Sequence, residues 1–366
     1  MNYFNNRRNE EFIFTNVSWD NWQELDDYNY IKNGSIEWAA EANLKVTGKF
    51  DFEGYVLPDP NNLVRVYYKF ASGGEVEKIC LATFFVDYSS VTYTDTLRGL
   101  KASGNINASS VLSILENKKM GKPFTVKRKQ YAVKEAEKLI QECNLNIKVE
   151  VPSAFALTSD LTFKPTDSYL TIINSLLDLA GYKQAYPDVY GTIHLEPLSK
   201  EGNKLYFKND DNSIMYPELV NDSNWMTTPN VVAIVYNTDE YFMIATAKNL
   251  DGSRASLHNR GNREITYVEQ TANIGEDNKP HLLRKRAEEL LKSKSCDIEY
   301  IKFEHCYLPM KLWDSCTIDY GDKSWTGLLD NFSINLSPSV KTTSKVKRSL
   351  SQDIIVESNT TVYRGE

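Results

Sequence analysis

Residues 63–68 are Leu63-Val64-Arg65-Val66-Tyr67-Tyr68, and residues 81–86 are Leu81-Ala82-Thr83-Phe84-Phe85-Val86. Short runs of β-branched and aromatic residues bounded by turn residues are typical of antiparallel strands. The pair Gly73-Gly74 lies between the two runs, and glycine supplies the positive φ that a tight hairpin turn requires. The stretch therefore predicts a β-hairpin, and the rest of the N-terminal third can be interpreted from it.

The same pattern extends outward from this hairpin in both directions. Shorter alternating stretches occur at 12–14, 35–38 and 45–47, and Asn33-Gly34 is a second candidate turn. The region from Phe12 to about Thr96 therefore predicts a barrel or a sandwich of five to seven antiparallel strands.

A different pattern begins after about Ser109. Residues 132–143 carry apolar side chains on one face of a helix and charged ones on the other. A second helix is expected from Leu170, with Thr166 or Asp167 as its cap and Gly181 as its end. A hairpin that turns near Tyr190-Gly191 completes a compact α/β unit.

Strand patterns return beyond Gly202 and are interrupted by one helix that Pro280 opens. From Ser337 the chain is polar and has no clear apolar period, so a mobile or partner-ordered tail is expected. This tail contains the basic residues Lys341, Lys345, Lys347 and Arg348, followed by the short apolar run Ile354-Ile355-Val356.

The composition is that of an ordinary globular protein. The 366 residues are 41% hydrophobic and 12% aromatic, with a net charge of −7 and 22 tyrosines. A length of this size favours two or three packed units, and the tyrosine content favours β-structure and protein interfaces. An acidic chain offers no general attraction for polyanions, so no sequence-specific nucleic acid is expected as a partner.

The sequence also carries information on the cellular compartment. The first twelve residues lack a hydrophobic signal region, and no apolar run approaches the roughly 18 residues of a membrane span. The five cysteines form no CxxC pair, so reduced thiols are expected. We therefore expect no membrane span and folding in a cytoplasm.

Sequence signatures of catalysis are absent. The chain contains no GxxxxGK[ST], GxGxxG, GxSxG or HExxH motif. His305 and Cys306 are neighbours on a predicted strand and should face opposite sides, which disfavours a shared metal ion. Asp319 and Asp322 lie in a turn-like context, where aspartate is common for conformational reasons. The sequence therefore predicts no catalytic residue, no metal site, no cofactor and no enzymatic activity.

The order of several motifs resembles that of a known family, the central baseplate hub proteins of contractile phage tails. Three groups of residues carry the resemblance: 162–182 with 188–197 in the α/β unit; 228–232, 259–263, 287–291 and 308–315 in the C-terminal part; and 34–38 with 62–67 near the N-terminus. The resemblance spans roughly residues 10 to 350. Phage-tail-like bacteriocins and other contractile injection systems contain comparable hubs.

The resemblance implies a β-rich, mixed α+β fold in which two antiparallel, tail-tube-like β-barrels are separated by a small α/β insert. The expected limits are 1–110 for the first barrel, completed by part of 203–230; 111–202 for the insert; 228–340 for the second barrel, with a helix near 280–293; and 341–366 for the extended tail. The implied function is structural. Three hub subunits form a ring that joins a six-fold tail tube to a three-fold central spike.

The partners that the resemblance implies are two further copies of the chain, the tail tube or a tube-initiator protein, the central spike, and baseplate wedge or sheath-adjacent proteins. The implied location is the baseplate of a tail or tail-like particle that assembles in the bacterial host cytoplasm. For the tail, we expect Ile354 to Val356 to add a strand to the edge of a neighbouring subunit or of the spike, with Lys341, Lys345, Lys347 and Arg348 steering the approach.

Two alternatives belong to other functional classes. One is the hub-like part of a tail-associated cell-wall hydrolase, although only about thirty residues follow Ser337, too few for a catalytic domain. The other is a carbohydrate-binding β-module of a cell surface. Such a module would present clustered tryptophans, and among the six in this sequence only Trp19 and Trp22 are close together.

Overall fold

The computed structural model describes residues 9–28, 30–57, 59–72, 75–157, 159–200, 202–209, 215–223, 226–237, 241–271, 280–295, 297–337, 340–350 and 354–364. These residues form 22 strands and four helices, and strands account for more than half of them. The prediction of a β-rich chain with few helices is therefore confirmed. The predicted Gly73-Gly74 turn lies outside the described residues.

The elements follow one another in three groups along the chain. The first group is β1 (Asn9–Val17), β2 (Glu24–Tyr28), β3 (Ile31–Ala39), β4 (Val46–Gly54), β5 (Leu63–Ser72), β6 (Glu75–Thr96) and β7 (Gly99–Ser109). The second group is α1 (Leu112–Asn117), β8 (Phe124–Val126), α2 (Ala132–Gln141), β9 (Ile147–Val149), β10 (Leu161–Phe163), α3 (Tyr169–Leu179), β11 (Tyr186–Pro187) and β12 (Ile193–Leu195).

The third group forms the C-terminal part. It is β13 (Lys204–Lys208), β14 (Met215–Ser223), β15 (Val231–Asn237), β16 (Tyr241–Asp251), β17 (Thr266–Thr271), α4 (Pro280–Lys294), β18 (Asp297–Cys306), β19 (Ser315–Tyr320), β20 (Lys323–Asn335), β21 (Lys341–Leu350) and β22 (Ile355–Arg364). The helix predicted near 280–293 is present.

The largest sheet has the strand order β14-β18-β21-β20-β3-β4-β7-β6-β5-β1-β2, and β19 and β13 branch from β20. Most of its neighbours are antiparallel, although β13 and β19 are parallel. The sheets are open throughout the described residues, so the two closed barrels of the prediction are not confirmed.

Alternation of apolar and polar residues explains the core of this sheet. In β4 the side chains of Val46, Phe50 and Phe52 are buried, whereas the intervening side chains are more exposed. Phe50 makes edge contacts with Phe14 and Phe84, with ring centroids 5.4 and 5.7 Å apart. These aromatic contacts join the side chains of β1, β4 and β6 in the core.

The predicted turn at Asn33-Gly34 is wrong, because both residues lie inside β3. Gly34 instead permits a close approach of the neighbouring strand β4. A Cβ atom at this position would lie 2.4 Å from the Lys49 carbonyl oxygen and 2.5 Å from the Phe50 ring. Glycine is therefore needed here for space rather than for a turn.

The α/β insert follows the predicted pattern in most respects. The apolar stripe of α2 is buried, and α3 packs beside it. The cap of α3, however, is Ser168, whose hydroxyl accepts a hydrogen bond from the Thr171 amide at 3.1 Å. Asp167 instead accepts one from the Lys164 amide. Gly181 follows the helix with a φ of +71°, as its role at the helix end requires.

Two compact units are present. Unit 1 comprises residues 1–218 and 303–345, and unit 2 comprises residues 219–302 and 346–366. This division differs from the predicted limits, because residues 303–340 group with the N-terminal part of the chain. The reason is that β20 pairs with β3 over its last five residues, Asn331 to Asn335.

Unit 2 contains a four-stranded sheet with the order β17-β15-β16-β22. Helix α4 covers one face of this sheet. Its side chains Leu283, Ala287 and Leu291 pack against one face of the central strands, where the contacting residues are Val232, Ile234, Tyr236, Met243, Ala245 and Ala247. One sheet and one helix therefore make a two-layer structure.

The predicted extended tail at 341–366 is wrong, because residues 341–350 and 355–364 form strands. β22 pairs with β16 over its whole length, and Ile354 and Val356 pack against the core of unit 2. Burial of these apolar side chains stabilises the strand pairing. The segment thus adds a strand to a sheet, as expected, but to the sheet of its own chain.

Candidate functional site

The predicted basic residues lie on β21, where side chains alternate between buried and partly exposed positions. Lys341 forms an ion pair with Glu304 at 2.5 Å and lies over the Tyr216 ring. Its hydrogen bond to Glu304 raises the pKa of Lys341. Lys345 lies 3.9 Å from Asp330. These lysines thus face carboxylates of their own chain.

The remaining predicted contact residues belong to unit 2. Arg348 lies 3.6 Å from Glu299, and Lys347 also has an interaction partner. Ile355 is 59% exposed, whereas Ile354 and Val356 point into the core. Partner binding by the four basic residues of β21 and by Ile354, Ile355 and Val356 stays a prediction. Of the three apolar residues, Ile355 is the exposed one.

A polar groove crosses the largest sheet within unit 1 and has a volume of 820 Å³. One row of its floor is Asn335, Ser35, Lys49 and Asn107, which are paired in register across β20, β3, β4 and β7. Amide, hydroxyl and charged groups line the groove, including the Lys341–Glu304 pair at one side. Such a lining is more polar than apolar and offers many hydrogen bonds, which suits a hydrated surface.

The insert contains a buried ion pair. Lys183 and Glu196 lie 2.9 Å apart with 7% of each side chain exposed, and the Tyr186 hydroxyl donates to Glu196 at 2.7 Å. Burial alone would raise the pKa of Glu196, but hydrogen bonds from Lys183, Tyr186 and Lys200 outweigh burial and hold that pKa below its ordinary value. Burial also raises the pKa of Tyr186.

His194 lies beside this pair and contacts two carboxylates. Its Nδ1 is 3.2 Å from Glu150 and its Nε2 is 3.2 Å from Asp188. Hydrogen bonds from Lys148 and Lys200 lower the pKa of Glu150 to about 2, with Lys148 as the larger cause. A general acid needs a carboxyl that retains its proton near neutral pH. Glu150 is instead held ionised, so the cluster is suited to fixing the hairpin of β11 and β12.

Polar contacts also connect the insert to the N-terminal strands of unit 1. The Lys45 ammonium is buried and donates to the Gln184 side chain and to the Ala40 carbonyl oxygen, at 2.5 and 2.6 Å. Burial lowers the pKa of Lys45 to about 8. The Thr83 hydroxyl donates to the Val189 carbonyl oxygen at 2.8 Å. The insert is therefore fastened to the strands at several points.

Two findings concern other classes of site. The part of the chain that the structure describes contains no cluster of three or more His, Cys, Asp or Glu residues able to hold a metal ion. In the same part, no helix has the length and apolar character needed to cross a membrane.

Trp19 and Trp22 are half-buried beside the insert rather than free on the surface. Their rings lie 5.8 Å apart, and both pack against the core of the insert. Trp22 also fits against Gly191, where a Cβ atom would lie 2.8 Å from its ring. The pair therefore fastens the insert, which weakens the carbohydrate-binding alternative.

No family model and no curated protein matches the sequence. Solved structures do match. The tail protein from Neisseria meningitidis MC58 has a TM-score of 0.64 at 10% identity, over 92% of this chain and 96% of that chain. The 43 kDa tail protein of prophage MuSo2 from Shewanella oneidensis has a TM-score of 0.64 at 9% identity, over 92% and 98%.

The chain has the fold of these phage tail proteins. A Francisella PdpA-VgrG complex also matches, with a TM-score of 0.53 at 9% identity, over 93% of this chain and 53% of that chain. The resemblance seen in the sequence motifs is thus confirmed at the level of the fold. Turn and apolar motifs in the same order along the chain were sufficient to detect the resemblance. The polar groove has no local sequence pattern, because its residues come from separate strands.

Proposed function

We propose that the chain is a structural baseplate hub of a contractile tail or of a tail-like injection particle. In this role three copies form a ring that adapts the six-fold tail tube to a three-fold central spike. The observation that carries the proposal is the tail-protein fold, which extends over 92% of the chain and includes the insert. A hub functions through extended interfaces, and function of this kind needs no active-site pocket.

The presence of two β-regions in each copy supports the proposed match between a six-fold tube and a three-fold ring. Each copy contains a large β-sheet that lies mostly in unit 1 and a four-stranded β-sheet in unit 2. Three copies would then present six β-regions around the ring, which is the number that a six-fold tube requires. In the proposal these regions are the tail-tube-like parts, and the polar groove of unit 1 provides a hydrated surface of the kind that a central channel needs.

The proposed partners are two further copies of the chain, the tail tube or a tube-initiator protein, the central spike, and wedge or sheath-adjacent baseplate proteins. Similarity to a PdpA-VgrG complex supports partners within an injection particle. The proposed place of assembly is the bacterial host cytoplasm, and the final location is the baseplate.

Copy number in the assembled particle tests the proposal directly. Cryo-electron microscopy of the tail should reveal three copies of the chain in a ring between tube and spike. One or six copies at this position would contradict the proposal. Native mass spectrometry of the purified chain at high concentration, with and without tube protein, provides the second measurement.

The proposed role is non-enzymatic, which can be tested independently. The isolated chain should leave peptidoglycan intact in a turbidity assay with purified cell walls, since the sequence carries no recognisable nucleophile, zinc or paired-acid motif. A hydrolytic activity that disappears on changing a single Asp, Glu or His would contradict this assignment and favour the cell-wall hydrolase alternative.

A further inference from the structure

A hairpin arm extends from the largest sheet at β6 and β7. Strand β6 pairs with β5 only as far as Phe85, and β7 pairs with β4 only as far as Ala102. Beyond these points the two strands pair only with each other up to the turn after Thr96. We define the hairpin arm as residues 91–103, of which residues 94–101 form the two-stranded part. A two-stranded ribbon is marginally stable by itself unless one of its faces is covered.

The two faces of the hairpin arm differ in character. Residues directly opposite each other in an antiparallel pair share a face. One face carries Val91, Tyr93 and Ala102, with Leu100 opposite Asp95, and the other face carries only Thr, Ser, Lys and Gly side chains. The apolar face continues the buried side of the sheet beyond the point where Phe52 and Tyr88 close the core.

Exposure shows that the apolar face is uncovered near the end of the hairpin arm. Tyr93 and Leu100 are 56% and 57% exposed, and Leu97 at the turn is fully exposed. Single exposed apolar residues are common on protein surfaces, but three on one projecting hairpin indicate a contact site.

The turn of the hairpin arm is ordered before any partner binds. The Thr96 hydroxyl donates to the Gly99 carbonyl oxygen at 2.7 Å and accepts from the Arg98 amide at 3.3 Å. Gly99 has a φ of +114°, which other residues rarely adopt. At the base, an ion pair joins Lys101 to Glu53. A preformed element loses little entropy on binding.

The outer face of the unit 2 sheet offers a complementary surface. A hollow of 480 Å³ lies on the face opposite α4 and is lined mainly by polar side chains, with the half-buried Ala233 on its floor beside the buried Val231. Lys248 pairs with Glu264 at 2.6 Å and lies opposite Glu357 on β22. Two carboxylates against one ammonium give the hollow a net negative charge.

We propose that the hairpin arm of one copy docks in the hollow of the unit 2 sheet of a second copy. Leu97 then contacts Ala233, and the exposed Arg98 faces Glu357. The docking joins two different surfaces of identical chains, and contacts of this type form a ring when the rotation between neighbouring copies closes. The inference rests on the proposed ring and assigns one of its contacts.

Reversal and exchange of charge test this contact on the full chain. Arg98→Glu and Glu357→Arg should each lower the trimer association constant about tenfold, and the double variant should restore it to within about threefold, measured by sedimentation. The matched control is Lys134→Glu, which reverses an exposed charge on α2 and should leave assembly unchanged. Circular dichroism verifies that all variants fold.

Disulfide trapping measures the docking itself. When copies carrying Leu97→Cys are mixed with copies carrying Ala233→Cys and oxidised, a disulfide between the two positions should form and be found by peptide mass mapping. Thr94→Cys on the polar face of the hairpin arm is the matched control and should not be trapped.

The outcomes separate this inference from the proposed function. A wild-type trimer that is insensitive to both charge reversals and yields no trapped pair would overturn the docking and leave the hub intact. A trapped pair without any trimer, alone or in the particle, would support the docking and remove the three-fold ring. Loss of tube-protein binding with unchanged self-association would assign the hairpin arm to a different partner and overturn the inference.

Discussion

The α/β insert and the unit 2 sheet are both built from helices and strands, yet they use their surfaces differently. In the insert, helices and small sheets surround a common core, and a buried ion pair with its neighbours fastens the hairpin of β11 and β12. In unit 2, a single helix covers one face of a four-stranded sheet. The insert thus shares its core with the N-terminal strands through Val17 and Leu63, whereas the core of unit 2 is formed by its own sheet and helix, and its outer sheet face carries the hollow lined by Glu357.

The largest expected effect comes from breaking the buried ion pair of the insert. Lys183→Ala leaves the Glu196 carboxylate buried without its closest cation, so the free energy of unfolding should fall by about 3 to 5 kcal/mol in urea titrations. The control is Lys183→Met combined with Glu196→Gln, which removes both charges and should recover much of the loss. A change below about 1 kcal/mol for the single variant would mean that Lys200 and Tyr186 compensate fully.

A matched pair of cavity variants compares the two cores. Leu176→Ala in α3 and Leu291→Ala in α4 each remove a fully buried side chain, so each should cost about 2 to 5 kcal/mol. Because one helix alone covers the unit 2 sheet, Leu291→Ala should increase amide hydrogen exchange mainly in β15 and β16. Equal increases in the insert and in unit 2 for this variant would contradict the separation of the two regions.

Acid should weaken unit 1 through His305. This residue is buried, its Nε2 lies 2.8 Å from the Ser344 hydroxyl, and burial lowers the pKa of His305 from 6.5 to about 4. The unfolded chain therefore binds the additional proton at higher pH than the folded chain. The stabilisation is complete above pH 6.5 and decreases as the pH falls to 4, by roughly 3 kcal/mol in total.

Urea titrations between pH 7 and pH 4 measure how the unfolding free energy depends on pH. His305→Gln keeps a hydrogen-bonding side chain but cannot titrate, so its unfolding free energy should depend less on pH in this range. An identical slope in wild type and variant would exclude His305 as the source.

The smallest expected effect concerns the two faces of β22. Ile355→Ser changes an exposed side chain and should alter the unfolding free energy of the isolated chain by less than about 0.5 kcal/mol. The adjacent Val356→Ser changes a side chain that packs on the core and should cost about 1 to 3 kcal/mol. If Ile355→Ser lowered the unfolding free energy more than Val356→Ser in thermal or urea unfolding, the assignment of the inner and outer faces of β22 would be reversed.

Local patterns made much of the fold predictable. Helical periodicity, Pro280 and Gly181 located α4, α2 and the end of α3, because these features act within a few residues. The prediction of a turn at Asn33-Gly34 was wrong because a glycine that makes space for a neighbouring strand cannot be distinguished in the sequence from a glycine in a turn. The cap of α3 was misplaced by one or two residues for a similar reason, since Thr166, Asp167 and Ser168 can all cap a helix.

Long-range pairing was not predictable. The polar groove depends on the register of β7 and β20 with the consecutive strands β3 and β4, from which both lie far apart in sequence, and no local pattern encodes such a register. The segment around Ile355 was expected to need a partner because its apolar run is too short to fold alone. Its partner is β16 of the same chain.

The pairing of β20 with β3 has a consequence for how the protein is synthesised. Asn331 and Glu37, which are hydrogen-bonded across these strands, lie 294 residues apart in the sequence. At ribosomal rates of about 5 to 20 residues per second, β3 waits roughly 15 to 60 seconds for its neighbour. During that time the edge of β3 beside Trp38 is open to pairing with other nascent chains. Folding of this chain should therefore be slow, and its yield should depend on chaperones that shield that edge.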